Sequence, residues 1–362
     1  MDRKLERGIA ILLALGAGCD DRAATNASVD MTSFPPAFTA DALTGARIGS
    51  QGGQPNFQQA NGTLDLQQGP FAGVKLVLDL TSTCFPFEGW KADPPPPGQH
   101  WPADCDAFDR NLDVTLDDPQ AVSDPPAFDV IHAITPFGGP EHLEIDLTDF
   151  ANAHPGQHAL RVTIPTYSDG AGQVSGSNGG WNVSVHAEVT PGVAPRTVLA
   201  ALPLVWTTQT DPMSPPPIDF TVPPGTTHAR LEVRASGHGG GAQDADCIGP
   251  AEEFCQRMLD VLVDGASLQP AVDPWREDCD SLCTMAVYAP LNRTYCMENP
   301  CGAIASVQAP RANWCPGSMT APFQWDVDAL HVPGAHNLSW AISKIASGGS
   351  WQLSAIYYAF AD

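Results

Sequence analysis

Leu112-Asp113-Val114-Thr115-Leu116 alternates apolar and polar residues without a break. The same alternation recurs in Leu143-Glu144-Ile145-Asp146-Leu147, Leu160-Arg161-Val162-Thr163-Ile164 and Val183-Ser184-Val185-His186-Ala187. Successive side chains of a strand point to opposite faces, so each segment is expected to turn one side inward and the other to solvent. Val74 to Leu80 is a denser apolar run of strand length, and Pro94 to Pro97, unable to join a sheet ladder, mark an exposed loop. A connector at Thr190-Pro191-Gly192-Val193-Ala194-Pro195 interrupts the pattern. It restarts at Val198–Trp206, Ile218–Val222, Ala229–Val233 and Leu259–Val263, and continues at Phe323–Val327, Leu338–Ile345 and Trp351–Phe360. No helical period persists beyond about two turns. Two runs of seven or eight strands predict an all-β chain of two antiparallel sandwiches, residues 46–192 and 193–362, and suit the jelly-roll type. Immunoglobulin-like sandwiches are the rival that periodicity does not separate.

The composition agrees. The chain has 362 residues, 16% of them charged, with 33 Gly and 35 Pro, which suits short strands and turns better than long helices. A formal net charge of -24 argues against binding nucleic acid or an anionic membrane surface, both of which need clustered cations. The N-terminus reads as a targeting signal: basic Arg3, Lys4 and Arg7, an apolar stretch from Ile9 to Ala17 too short to span a bilayer, then small residues before Cys19. Small residues before a Cys resemble the lipobox of bacterial lipoproteins, although Leu15 stands four residues before Cys19 where three is usual. The expectation is a signal peptide at 1–18, lipidation at Cys19 and a flexible tether over 19–45. The protein would then be exported to the bacterial cell envelope, anchored there by lipid. An ordinary signal peptide cut nearby, giving a secreted chain, is the alternative.

Export makes the ten cysteines readable as disulfides. With Cys19 acylated, nine remain, so one thiol is left free or paired with another chain. Zinc is the competing reading, but the spacings Cys279-x3-Cys283 and Cys296-x4-Cys301 are not zinc-ribbon pairs.

Three clusters carry candidate chemistry. In Cys105-Asp106-Ala107-Phe108-Asp109-Arg110 a bridge from Cys105 to Cys84 would hold Asp109 rigid at a strand start. A catalytic carboxylate needs such fixity; a capping Asp is the plain alternative. Between Cys247 and Cys255, a bridged loop would carry Glu252 and Glu253, with Phe254 as an apolar wall able to raise a carboxyl pKa. The plain alternative is solvated acids. In Pro310-Arg311-Ala312-Asn313-Trp314-Cys315-Pro316-Gly317, Arg311 would fix a carbonyl or carboxylate and Trp314 would stack on a sugar, unless it simply packs on a disulfide.

Together these clusters resemble the peptide-N-glycosidase F family, bacterial amidases that remove N-linked glycans from asparagine. That family reads Cys-Asp-x-Trp-Asp-Arg for residues 105–110. It reads Cys-Ala-Glu-Trp-Cys-Phe-Arg around Glu252-Glu253-Phe254-Cys255-Gln256-Arg257 and Asp-Arg-Ala-Gly-Trp-Cys-Pro-Gly for 310–317. Ile134-Thr135-Pro136-Phe137 and Leu143 to Phe150 also match its segments, in order, and the resemblance runs from about residue 60 to the C-terminus. It implies a disulfide-containing fold of two eight-stranded antiparallel jelly rolls side by side, with the site in the cleft between them. It makes Asp109 the primary catalytic carboxylate, Glu253 its partner and Arg311 a substrate-positioning residue, with disulfides Cys84–Cys105, Cys247–Cys255 and Cys296–Cys315. No metal or organic cofactor is implied, and the expected partner is an N-linked glycan or glycopeptide bound by a monomer. Two departures stand out. The family's third glutamate, in Tyr-Thr-Glu-Thr-Trp, falls on Pro165 of Thr163-Ile164-Pro165-Thr166-Tyr167, leaving Tyr167 at the Trp. Its sugar-facing Trp is replaced where Ser236-Gly237 runs into His238. Asp169, Glu188 and Glu252 are candidates for the missing acid. Two other functions compete: a glycan- or protein-binding lipoprotein without turnover, which Pro165 favours, and a copper-dependent monooxygenase-like protein, for which His238 is the histidine to test.

Overall fold

The computed structural model describes residues 34–120, 127–169, 171–212, 214–241 and 243–361. The expected signal segment, Cys19 and the expected tether up to residue 33 lie outside them.

Eight strands fill the first half: β1 (Phe38–Gly49), β2 (Gln59–Asp65), β3 (Phe71–Thr81), β4 (Asn111–Asp117), β5 (Phe128–Ile134), β6 (Glu141–Asp146), β7 (Gln157–Thr163) and β8 (Gly180–Pro191), with a short helix α1 (Thr148–Ala153). The second half contributes β9 (Thr197–Gln209), β10 (Ile218–Val222), β11 (His228–Gly239), β12 (Leu259–Val263), β13 (Ala266–Ser267), β14 (Met285–Tyr288) and β15 (Arg293–Cys296). The one-turn helix α2 (Ile304–Val307) follows, then β16 (Ser318–Met319), β17 (Phe323–Trp325), β18 (Gly334–Ile342) and β19 (Gly349–Ala361). Every ladder between these strands is antiparallel.

Sheet order β1-β8-β3-β6 faces sheet order β16-β5-β4-β7-β2, and β17-β11-β19-β9 faces β10-β18-β12-β13. Strands far apart in sequence are interleaved in space, the jelly-roll arrangement rather than the immunoglobulin one. The first core packs Leu64, Leu76, Leu78, Val114, Val162, Trp181 and Val183 between its sheets; the second packs Leu231, Val261, Trp340, Leu353 and Tyr357. The two sandwiches share one compact unit from Pro35 onward. Strand β19 shows why: Ile356, Tyr358 and Phe360 join the first core, while Leu353, Ala355, Tyr357 and Ala359 join the second. Its continuous apolar sequence is that of a strand covered on both faces.

The same stacking overturns one expectation. Asp113 and Thr115, the polar positions of the opening quotation, do not meet solvent; they are 3% and 5% exposed. Their face of β4 is covered by the second sandwich. Regular structure also begins before residue 46. Strand β1 begins at Phe38 and pairs with β8 from Phe38↔Val189 onward, although its many small residues and two register shifts hide the alternation. Nor does the boundary at residue 192 keep the halves apart, since β16 crosses to pair with β5. Among the described residues no helix is long and apolar enough to cross a membrane.

Candidate active site

Asp109 sits on a turn that the sequence holds from three sides. Cys105 is bonded to Cys84. Asp106, fully buried, accepts from Arg110 Nε and Nη2 at 2.9 Å each and from the Phe108 amide at 3.3 Å. Arg110 and Thr135 close a further pair of hydrogen bonds: the Arg110 amide donates to Thr135 Oγ1 at 2.9 Å, and the Thr135 amide to the Arg110 carbonyl at 2.8 Å. With its neighbours so fixed, Asp109 reaches a cavity of about 340 Å³ together with Phe108, Trp101, Phe137, Gln173 and Glu253.

Glu253 comes from a loop closed by the Cys247–Cys255 disulfide. Its carbonyl accepts from the Ala312 amide at 2.8 Å, and its carboxylate accepts from Arg311 Nη1 at 2.6 Å. Arg311 is itself buried, sandwiched between the rings of Phe254 at 4.6 Å and Trp314 at 4.4 Å, and tied to Ser306 through Nη2. The neighbouring acid has another task. Glu252 is sealed inside, accepting from Arg257 Nε and Nη2 (2.9 and 3.0 Å), the Ala346 amide (2.7 Å) and Trp351 Nε1 (2.8 Å). Adjacent glutamates thus divide into one structural and one pocket-facing group.

Burial pushes the Asp109 carboxyl up to about 7; the negative Glu253 adds to this, while the Arg311 and Arg110 guanidiniums oppose it. Burial also raises Glu253 above the usual carboxylate range, against the pull of Arg311. Two acids with shifted and unequal surroundings are suited to dividing base and acid roles.

Several other expected site residues lie elsewhere. Trp314 is buried, its Nε1 donating to the Gly237 carbonyl at 2.8 Å, so no sugar reaches its face. It packs on Arg311 and stacks with His238 at 5.5 Å. Arg311 positions Glu253 from behind and does not open onto the cavity. His238 bonds Ser236 Oγ at 2.7 Å, which also contacts His132 Nε2 at 2.6 Å; it belongs to a hydrogen-bonded network between the sandwiches. Burial drives its imidazole down to about 3. Tyr167, by contrast, is exposed and stacks over the Arg110 guanidinium at 3.9 Å, beside the Asp109 turn. None of the candidate replacement acids enters the cavity. Asp169 caps the amides of Gly172, Gln173 and Val174; Glu188 pairs with Lys75 on an outer sheet face; Glu252 is sealed.

Trp101 and Gln173 were not legible as site residues. Their loops meet only in space, where Trp101 Nε1 donates to the Gln173 carbonyl at 3.0 Å. Cysteine pairing also departs from the analogy. Cys315 bonds Cys279, and Cys296 bonds Cys283. The β14–β15 hairpin sets Met285 opposite Cys296, which brings Cys283 into reach of Cys296, and the Cys279 segment packs under Trp314. Among the described residues Cys301 is the free thiol, buried at the cavity wall and pushed up to about 12 by burial. At pH 8 it should therefore resist iodoacetamide in the native protein and react on unfolding, as located by peptide mapping; labelling of Cys301 in the native protein at the rate of a free thiol would contradict this placement.

Residues 208–358 match the family model described as Peptide-N-glycosidase F, C terminal. Over that C-terminal stretch the chain is similar to peptide-N-glycosidase F. Recombinant peptide: N-glycanase F superposes with a TM-score of 0.66 at 16% identity, covering 90% of this chain and 96% of that one. PNGase F from Flavobacterium meningosepticum, described as a glycosylasparaginase, gives 0.63 at 16% identity with the same coverage. PNGF-II gives 0.65 at 17% identity over 89% of this chain, which spans 65% of the length of PNGF-II. No curated protein matches the sequence. The chain thus shares the double jelly-roll fold of these structures at low identity.

Proposed function

We propose that this protein hydrolyses the amide joining an N-linked glycan to asparagine, at the envelope of the cell that exports it. The observation that carries this reading is the convergence of Asp109 and Glu253, far apart in the chain and on separately disulfide-braced loops, on one cavity rimmed by aromatic rings. In the reaction water adds across the side-chain amide. Asp109 takes the proton of the attacking water and passes it to the departing nitrogen, the C–N bond breaks, the asparagine becomes an aspartate, and the sugar leaves as a glycosylamine. Glu253, oriented by Arg311, holds the sugar end. Phe108 and Tyr167, both exposed, offer faces on which sugar rings pack.

Pro165 supports a second reading, glycan binding without turnover, since no other candidate acid reaches the cavity. Incubating the purified protein with a denatured N-glycoprotein separates the two: oligosaccharide release is expected, and retention on a glycan array without release would establish the binding reading instead. Export and lipidation form part of the same proposal. Fatty-acid labelling of the expressed protein should be lost in Cys19→Ser, and an unlabelled wild type would remove the anchor.

A further inference from the structure

Outside the cavity, the most unusual chemistry lies between the two sandwiches. Asp113 on β4 stands directly opposite His132 on β5. Asp129, also on β5, lies three residues before His132, a spacing that in a regular strand puts two side chains on opposite faces. Here it does not. The ladder passes from Val114↔Ile131 to Thr115↔Asp129, so β5 carries one extra residue, a bulge. The bulge rotates Asp129 onto the face of Asp113 and His132, and all three are buried.

The donor atoms converge. His132 Nδ1 is 2.8 Å from Asp113 Oδ1 and 3.7 Å from Asp129 Oδ2, and one donor atom from each residue lies within 4.8 Å of the others. Metal bonds of ~2.0–2.2 Å place neighbouring donors roughly 3 to 3.5 Å apart, so the spacing matches a small divalent ion with little movement. Both Asp129 oxygens are buried; the Ser354 hydroxyl lies beside them, but neither oxygen has a hydrogen bond of good geometry. A carboxylate in that state is costly unless a cation meets it. Arg234 on β11 is the neighbouring cation and its charge favours an ionised Asp129, but its one hydrogen bond, from Nη2, goes to Glu232 at 3.2 Å, while its Nε and Nη1 are buried and make none.

The surroundings are those of an oriented ligand set. Gln352 Nε2 donates to Asp113 Oδ2 at 2.8 Å, which leaves Oδ1 facing His132, and Asn111 fixes the Gln352 amide at 2.7 Å. His132 Nε2 meets Ser236 Oγ at 2.6 Å, and Ser236 meets His238 Nε2 at 2.7 Å. With Nδ1 on a metal, Nε2–H donates to Ser236, whose hydroxyl donates onward to His238. Partners of this kind set the tautomer and ring angle of metal-bound histidines.

We infer that Asp113, Asp129 and His132 form a buried structural site for a first-row divalent cation, with zinc the best match to one imidazole and two carboxylates. The ligands come from β4 and β5 of the first sandwich, and the groups that orient them come from β11 and β19 of the second. Occupancy therefore ties the two halves together. The site is separate from the Asp109–Glu253 cavity and does not depend on the amidase reading.

Because the site is sealed, loading belongs to folding. The full chain, unfolded in guanidinium with disulfides intact, is refolded without metal, with zinc(II) or with cobalt(II), then freed of loose ions by a chelator and gel filtration. About one equivalent of zinc per chain is expected by elemental analysis, with a higher melting temperature than the metal-free sample and, for cobalt, visible d–d absorption. Asp129→Asn should refold by circular dichroism and hold none; Asp129→Ser replaces it if the asparagine variant does not refold. Absence of metal from wild type refolded with either ion overturns the site, as does a full equivalent in the folded variant.

Discussion

Asp109→Asn should leave the protein folded and lower oligosaccharide release from a denatured glycopeptide by about 10²- to 10⁴-fold, the usual effect of removing a positioned general base. Folding survives because nothing that shapes the turn uses the Asp109 carboxyl: the Cys84–Cys105 bond, the Asp106–Arg110 pair and the Thr135 contacts all remain. The asparagine keeps the shape and cannot take the proton. Release by wild type and variant from the same substrate, with melting curves of both, checks the prediction. Equal release would remove Asp109 from the chemistry.

The same residue predicts two opposite pH dependences. A base must be ionised, so wild-type turnover should rise as pH passes through about 7, where the Asp109 carboxyl titrates. Stability runs the other way. The unfolded carboxyl titrates near ~3.9. Between there and about 7 the native state holds a proton that the unfolded chain has released, so the Asp109 contribution to stability falls as pH rises through that window and levels off above it. The loss has a ceiling of ~4 kcal/mol. Asp109→Asn lacks this slope, and above pH ~7 it should melt higher than wild type; denaturation midpoints from pH 4 to 9 show which sign holds.

Glu252→Gln should be the larger blow to stability, about 3–5 kcal/mol, or roughly 5–10 °C in melting temperature. Its carboxylate is fully buried and accepts four hydrogen bonds, two of them from Arg257, which is 2% exposed. An amide in its place offers one acceptor oxygen and turns donors toward groups that also donate, so that Arg257 loses its buried partner and keeps the more exposed Asp244, at 3.0 Å from Nη2. Glu253→Gln, one position on, keeps an oxygen for Arg311 and should cost far less stability while impairing turnover. The pair of variants separates the two glutamates by melting curve and by glycan release. A Glu252→Gln protein as stable as wild type would mean that the buried cluster around Trp351 and Ala346 is not the support it is drawn to be.

Much of this was legible in the sequence. Period-two alternation in segments such as Leu160 to Ile164 located the strands because one face of each buries apolar side chains. The disulfides Cys84–Cys105 and Cys247–Cys255 followed from family resemblance, and both acids meet in one cavity. Other features were hidden because they depend on contacts between distant segments. Trp314 and Arg311 look like binding residues in a list of letters; only packing shows that one is sealed and that the other supports Glu253 from behind. Cys296 has several possible partners by spacing, and the β14–β15 hairpin selects Cys283.

The order of letters determined the strands, their inward faces and the loops that carry the acids, since each follows from neighbouring residues and the geometry of an extended chain. Tertiary structure alone decided which polar residues stay dry. Asp113, Asp129 and His132 occupy positions that a single sandwich would present to water, and the second sandwich covers them. Covering removes solvent, so the partners a polar group finds are set by the facing sheet and not by its own sequence neighbours.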